Sequence, residues 1–276
     1  MHESILVYGK LRYLKVALAL AALSAVAYVL HTPLGPPNGA TWLGYTLGGI
    51  SGGLMVWLAW FGIKKRTYGA GRLSAQEWLS AHVYLGTALA FVATLHAGFR
   101  FGANIHTVLY VLMMIVIISG MVGVYFYLRY PRLLTENRRG LSSEVMLAQL
   151  ADLDREIRQL AMGLDDATNT LALNAIRDTI VGGSLANQLR GFDPHCPTTV
   201  ARMFVERSSF ESTSEQDAKR RQLLMRLVRK EEMLKRIRRD VQLRCVLRVW
   251  LYVHVPFSIA ALMALVAHVV TEFYYW

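Results

Sequence analysis

Cysteine is almost absent: the 276 residues hold two, Cys196 and Cys245, and no C-x-x-C. That excludes a disulfide scaffold, a cysteine-built iron–sulfur cluster and a C-x-x-C-H haem attachment site. Charge is also sparse, at 18% of residues, and the acidic sign is the scarcer, with 19 Asp and Glu against 30 Lys and Arg. No G-x-G-x-x-G and no P-loop occurs, so no nucleotide fingerprint is present. What is plentiful is apolar: 54% of residues are hydrophobic and the mean hydropathy is +0.32. Disorder is excluded by the same numbers. A net charge of +11 would suit nucleic acid, but no nucleic-acid-reading motif accompanies it and the apolar residues come in long runs. The better reading is an integral membrane protein whose basic residues mark one face.

Five runs are long enough to cross a bilayer, at about Val16–Leu30, Trp42–Ile63, Trp78–Phe99, Thr107–Leu128 and Val246–Phe273. The first resembles a signal peptide in its basic start and small residues, and is read as a retained span. Lys10, Arg12 and Lys15 precede span one, and Lys64, Lys65, Arg66 and Arg72 follow span two. Only Arg100 separates spans three and four. The positive-inside rule then predicts a cytoplasmic N-terminus, five spans and an outer C-terminus in the inner (cytoplasmic) membrane of a bacterium. The fold class is thus all-α: residues 1–130 hold spans one to four, 131–245 form a cytoplasmic helical insert, and 246–276 form span five.

Within the insert, Leu141–Leu164 reads as an amphipathic helix with Leu147, Leu150, Leu153, Ile157 and Leu160 at helical spacing. Ser142, Ser143 and Glu144 mark its start. Gly182-Gly183 and the Phe192–Pro197 segment are breakers. Ser214–Arg244 reads as a long basic helix entering span five, with Leu223, Leu227, Leu234 and Val241 as its stripe. Together these predict an antiparallel helical hairpin. The basic run Lys219–Arg239 offers a lipid-binding stretch, a docking face for an acidic redox partner, or a solvated surface.

Four of the eight histidines fall inside spans, where a polar ring is costly and usually functional. His82 and His96 lie on span three, His254 and His268 on span five, each pair fourteen residues apart. That spacing keeps both rings on one helix face, about 21 Å apart along the axis. Spans three and five run in the same direction. His82 therefore lies level with His254, and His96 with His268. Two facing histidine pairs, one per leaflet, supply the axial nitrogens of two b-type haems. Zinc is not expected, since no third or fourth ligand stands near either pair in this reading. A non-haem metal or proton relay and plain interhelical hydrogen bonding are the alternatives.

The double H-x13-H pattern, His82–His96 and His254–His268, resembles the membrane domain of the ferric reductase and NADPH oxidase superfamily. It is similar also to the haem helices of the cytochrome b of bc complexes. The resemblance implies transmembrane electron transfer, with His82 and His254 on the inner haem and His96 and His268 on the outer. The oxidases continue into a sixth span and a flavin and nicotinamide domain, and this sequence carries a helical insert instead. The expectation is therefore a dihaem b cytochrome subunit served by a redox partner (an iron–sulfur, flavin or cytochrome c protein) or by membrane quinone. The alternatives are a stand-alone transmembrane reductase of ferric ion, oxygen or quinone, and a non-redox membrane scaffold or signalling protein.

Several further residues are candidates for supporting roles. Arg100, one turn past His96, can pair with outer haem propionates or snorkel to the interface. Arg72 and Arg248 offer the same at the inner haem. His31 and His106 near the outer face can shape a quinone or metal site. The glycines of span two (Gly44, Gly48, Gly49, Gly52, Gly53), with Gly86, Gly120 and Gly123, allow close approach of a haem or of another helix. Pro256 is expected to loosen span five near His254. His195-Cys196 is a weak metal candidate.

Overall fold

The computed structural model describes residues 5–32, 39–64, 74–208 and 215–274. Among these residues the chain is all helix, with no strand. The helices are α1 (Tyr8–Leu30), α2 (Trp42–Lys64), α3 (Ala75–His96), α4 (Ile105–Arg138), α5 (Ser143–Ala161), α6 (Asp166–Arg177), α7 (Leu185–Arg190), α8 (Pro197–Ser208) and α9 (Glu215–Tyr274). Four of them, α1, α3, α4 and α9, contain a stretch long and apolar enough to cross a bilayer. The chain divides into two compact units, Met1–Tyr125 with Trp250–Trp276, and Phe126–Val249. Helices α4 and α9 contribute residues to both.

In the first unit α3 is the central helix. Of its apolar stretch 39% is buried, against 11% in α1 and in α9, so the outer helices turn most of their apolar surface outward, as lipid-facing helices do. Ser74 starts α3 by accepting a hydrogen bond from the Glu77 backbone N–H at 3.1 Å, satisfying one of the free donors of the first turn. Val92 and Leu95 of α3 pack with Leu43 and Leu47 of α2 and with Leu20 and Ala27 of α1. One turn away Leu89 and Ala93 pack on Met113 of α4. These contacts fix the rotation of α3 about its axis, and with it the direction in which its histidines face.

The second unit is a helical core rather than a two-helix hairpin. Helix α5 starts at the expected place, where Ser142 accepts from the Val145 N–H. Its buried stripe, however, is Met146, Leu150, Leu153, Ile157 and Ala161, and Leu147 is about half exposed. Between α5 and α9 lie α6 and α8, which bury small residues: Ala172 and Ala175 of one, Ala201 and Val205 of the other, against Leu223 and Leu227 of α9. Small buried residues give these helices little hydropathy, so they do not stand out as apolar runs. Helix α4 also runs on through Pro131 to Arg138, past the predicted end of span four. Asp240, 3% exposed, is held by Arg138 at 2.6 Å and Arg244 at 3.0 Å. Lys230, 1% exposed, pairs with Asp154 at 2.5 Å and donates to the Ala175 carbonyl in the last turn of α6 at 2.6 Å.

Candidate functional site

The four span histidines lie in the first unit, in two groups. In one group, His82 of α3 is hydrogen-bonded to the backbone of Leu58 and stands near enough to His254 of α9 for the two to interact electrostatically. His254 Nδ1 is 2.7 Å from Ser119 Oγ on α4. The Ser119 hydroxyl donates its single proton to the Val116 carbonyl at 2.9 Å, so it accepts from His254 Nδ1–H. The Nε2 lone pair of His254 is left for another partner. Trp250 stacks on His254, and its Nε1 donates to the Ser119 carbonyl at 2.8 Å. Gly123 provides the room, because a Cβ there would overlap the indole.

In the other group, His96 Nδ1 donates to the Gly44 carbonyl at 2.8 Å. A carbonyl can only accept, so the proton is on Nδ1 and the Nε2 lone pair of His96 is free of it. The His96 and His268 rings lie with centroids 6.1 Å apart and planes at 76°. His268 Nδ1 is 2.7 Å from His106 Nδ1, and His106 Nε2 is 3.6 Å from Glu272 Oε1. One set of protons satisfies this chain: His268 Nδ1–H donates to His106 Nδ1, and His106 Nε2–H faces the carboxylate. The Nε2 of His268 is then also open. A Cβ on Gly48 would lie 2.7 Å from His96 Cε1, so glycine at that position is what lets the ring sit against α2.

The separation of the His96 and His268 rings is compatible with two imidazoles on opposite sides of one metal ion. Two imidazoles on one metal ion, at a metal–nitrogen distance of about 2.0–2.1 Å, put their ring centroids roughly 6 Å apart, and the observed separation is 6.1 Å. A metal-bound histidine commonly has its other ring N–H held by a carbonyl or other acceptor, as His96, His254 and His268 do here.

One sequence expectation is corrected at this site. Ligand atoms of His106, His268 and Glu272 lie within 4.8 Å of one another, so further donors do stand beside the His96/His268 pair. They come from the start of α4 and the end of α9, far apart in sequence. Glu272 carried a readable signal: it follows His268 by four residues and so shares its helix face. Ser119 and Trp250 carried none beyond ordinary span composition.

The remaining candidates are dispersed. Arg100 is exposed in the turn after α3, and Arg248 is exposed on α9. Arg72 lies outside the described residues. His31 makes an edge-to-face contact with Trp42 at 5.2 Å. Gly49 and Gly53 face open space, whereas Gly120 lies against His254. Cys196 is buried in the core of the second unit while His195 is exposed, so the two do not present one metal site. Half of the basic run is paired in place: Arg220, Arg226, Lys230, Lys235 and Arg238 pair with Asp165, Glu156, Asp154, Glu231 and Asp193. No protein-family model, curated protein or solved structure matches the chain.

Proposed function

We propose that this chain is a b-type dihaem cytochrome subunit that carries electrons across a membrane as part of a respiratory or redox complex. The reading is carried by the His96/His268 pair, two rings on different helices, each with Nδ1 engaged, Nε2 open and centroids 6.1 Å apart. His82 and His254 would hold the second haem and His96 and His268 the first, and bound haem supplies reversible one-electron transfer. Ser119 and the Gly44 carbonyl fix the tautomers of His254 and His96, so that Nε2 of each is the ligand atom. Trp250 covers one face of the His254 ring.

In the same proposal α2 is a fifth span. It has 23 residues and no charge before Lys64. The basic loops then place the N-terminus in the cytoplasm of a bacterium, His82 and His254 on the inner side, and His96 and His268 on the outer. The helical unit between spans four and five is the cytoplasmic docking platform. The exchange partners are an iron–sulfur or flavin protein inside and a cytochrome c or membrane quinone outside.

The test is a dithionite-reduced minus oxidised spectrum of the purified chain, with haem b quantified per chain as the pyridine adduct. Two low-spin haems are expected, with one lost in His82→Ala and one in His268→Ala. Zero haem would overturn the reading. A second reading is favoured by the His106, His268 and Glu272 cluster, a divalent metal ion bound in place of the outer haem. It predicts one haem and one metal ion per chain.

A further inference from the structure

Resting on the dihaem reading, we propose that Glu272 and His106 act together on His268 as a carboxylate–imidazole chain that strengthens this ligand and makes the His96/His268 end the lower-potential centre. The three groups form a continuous polar line. Glu272 Oε1 is 3.6 Å from His106 Nε2, and His106 Nδ1 is 2.7 Å from His268 Nδ1. The His106 and His268 rings meet edge to face with centroids 4.7 Å apart, which aims one nitrogen lone pair at the neighbouring N–H. A ligand imidazole whose N–H donates to a strong acceptor gains electron density at its other nitrogen. Greater donation favours ferric over ferrous iron and lowers the reduction potential.

At the other end the partner of His254 carries no charge. His254 donates to the Ser119 hydroxyl, a neutral acceptor whose own proton is spent on Val116. On the same centre as His268, His96 donates to a neutral carbonyl. Among these ligands His268 is the one whose Nδ1 partner is itself backed by a carboxylate. His106 and Glu272 have side chains 45% and 32% exposed, so water weakens the reach of the carboxylate charge. The direct contact, His106 to His268, is therefore expected to matter more than the distal Glu272.

The test is redox potentiometry on the purified full chain, with each low-spin haem followed by its electron paramagnetic resonance signal. His106→Phe removes the acceptor and is expected to raise the potential of one haem, the lower of the two, and to shift its low-spin g values. Glu272→Gln should move the same haem in the same direction by less, and Glu272→Asp should restore most of the wild-type value. Two bound haems whose potentials and g values are unchanged in both His106→Phe and Glu272→Gln would overturn the inference while leaving the dihaem reading intact. So would a shift confined to the higher-potential haem. If His106→Phe sheds the outer haem, Glu272→Gln still reports the effect. Wild-type protein that binds a metal ion through His106 and Glu272, detected by elemental analysis and lost in both variants, overturns it as well. Wild-type protein with no haem sinks the dihaem reading first and this inference with it.

Discussion

Trp250 lies stacked on His254, ring centroids 5.2 Å apart and planes within 24° of parallel, and it can do so because residue 123 is glycine. A Cβ at Gly123 would occupy the space of the indole. Gly123→Val should drive the indole off, break its bond to the Ser119 carbonyl and release the ring of His254. The expected outcome is a haem content falling from two toward one per chain, with the other centre retained. Gly86→Ala is the control, because its Cβ would meet Leu58 at an ordinary 3.9 Å. An unchanged haem content in Gly123→Val would show that the stacking does not hold the ligand.

The opposite end gives the complementary case. Gly48 sits so close to His96 that a Cβ would fall 2.7 Å from the ring carbon Cε1. Gly48→Val should push the ring out of line with His268 and cost the other haem. Gly53→Ala, in open space on the same helix, should cost none. Absorption spectra of the two valine variants should then be distinct, each reporting the centre that survives. Identical losses would mean the two ends do not bind independently.

Much of this architecture is legible in the chain because the bilayer imposes simple rules. Long uncharged runs become helices, since no other open structure satisfies the backbone in lipid, and α1, α3, α4 and α9 are read this way. The fourteen-residue histidine spacing places rings on one face by helix geometry alone. What is hidden follows from two physical causes. Helices α6 and α8 pack through Ala172, Ala175 and Ala201, and each is only 12 residues long and about half polar, so no apolar run marks it. The partners of the histidines come from neighbouring helices whose rotation is set by packing: Gly44, Ser119 and His106 meet His96, His254 and His268 only after α2 and α4 have docked. His106 was placed near the right face by depth, and Glu272 was within reach of the same reasoning.

Asp165 gives a prediction with a pH dependence. It caps α6 by accepting from the Thr168 N–H at 3.1 Å and pairs with Arg220 at 2.9 Å. Burial pushes its carboxyl pKa upward, but the Thr168 backbone bond and Arg220 outweigh that, so it lies below the ordinary 3.8. A depressed folded value means that the stabilisation is fully present above the unfolded value and is lost as pH falls through the folded one. Asp165→Ala should therefore cost about 1 kcal/mol near neutrality, and the gap to wild type should begin to narrow at about pH 4 and go on shrinking as the pH falls through the folded value. Thermal melts of the two proteins across this range check it. A gap of equal size at both ends would mean that the ionised carboxylate is not the source.

Lys230 and Asp154 make an unequal pair, and the inequality predicts which partner is dearer to lose. The lysine side chain is 1% exposed and the aspartate 25%. Breaking a buried ion pair typically costs about 3–5 kcal/mol, because the survivor keeps an uncompensated charge. After Lys230→Met, the survivor is a carboxylate that water partly reaches, while the Ala175 carbonyl keeps the Thr179 hydroxyl, and the cost should be about 2–3 kcal/mol. After Asp154→Leu, the survivor is an ammonium group that water does not reach, and the cost should lie at the upper end of the range. The double variant leaves no unpaired charge, and the Ala175 carbonyl still accepts from the Thr179 hydroxyl at 2.7 Å, so it should be more stable than Asp154→Leu alone. Unfolding of the four full-length proteins, followed by circular dichroism, gives the cycle. Additive losses would mean that the two side chains do not act on each other across the core of the helical unit.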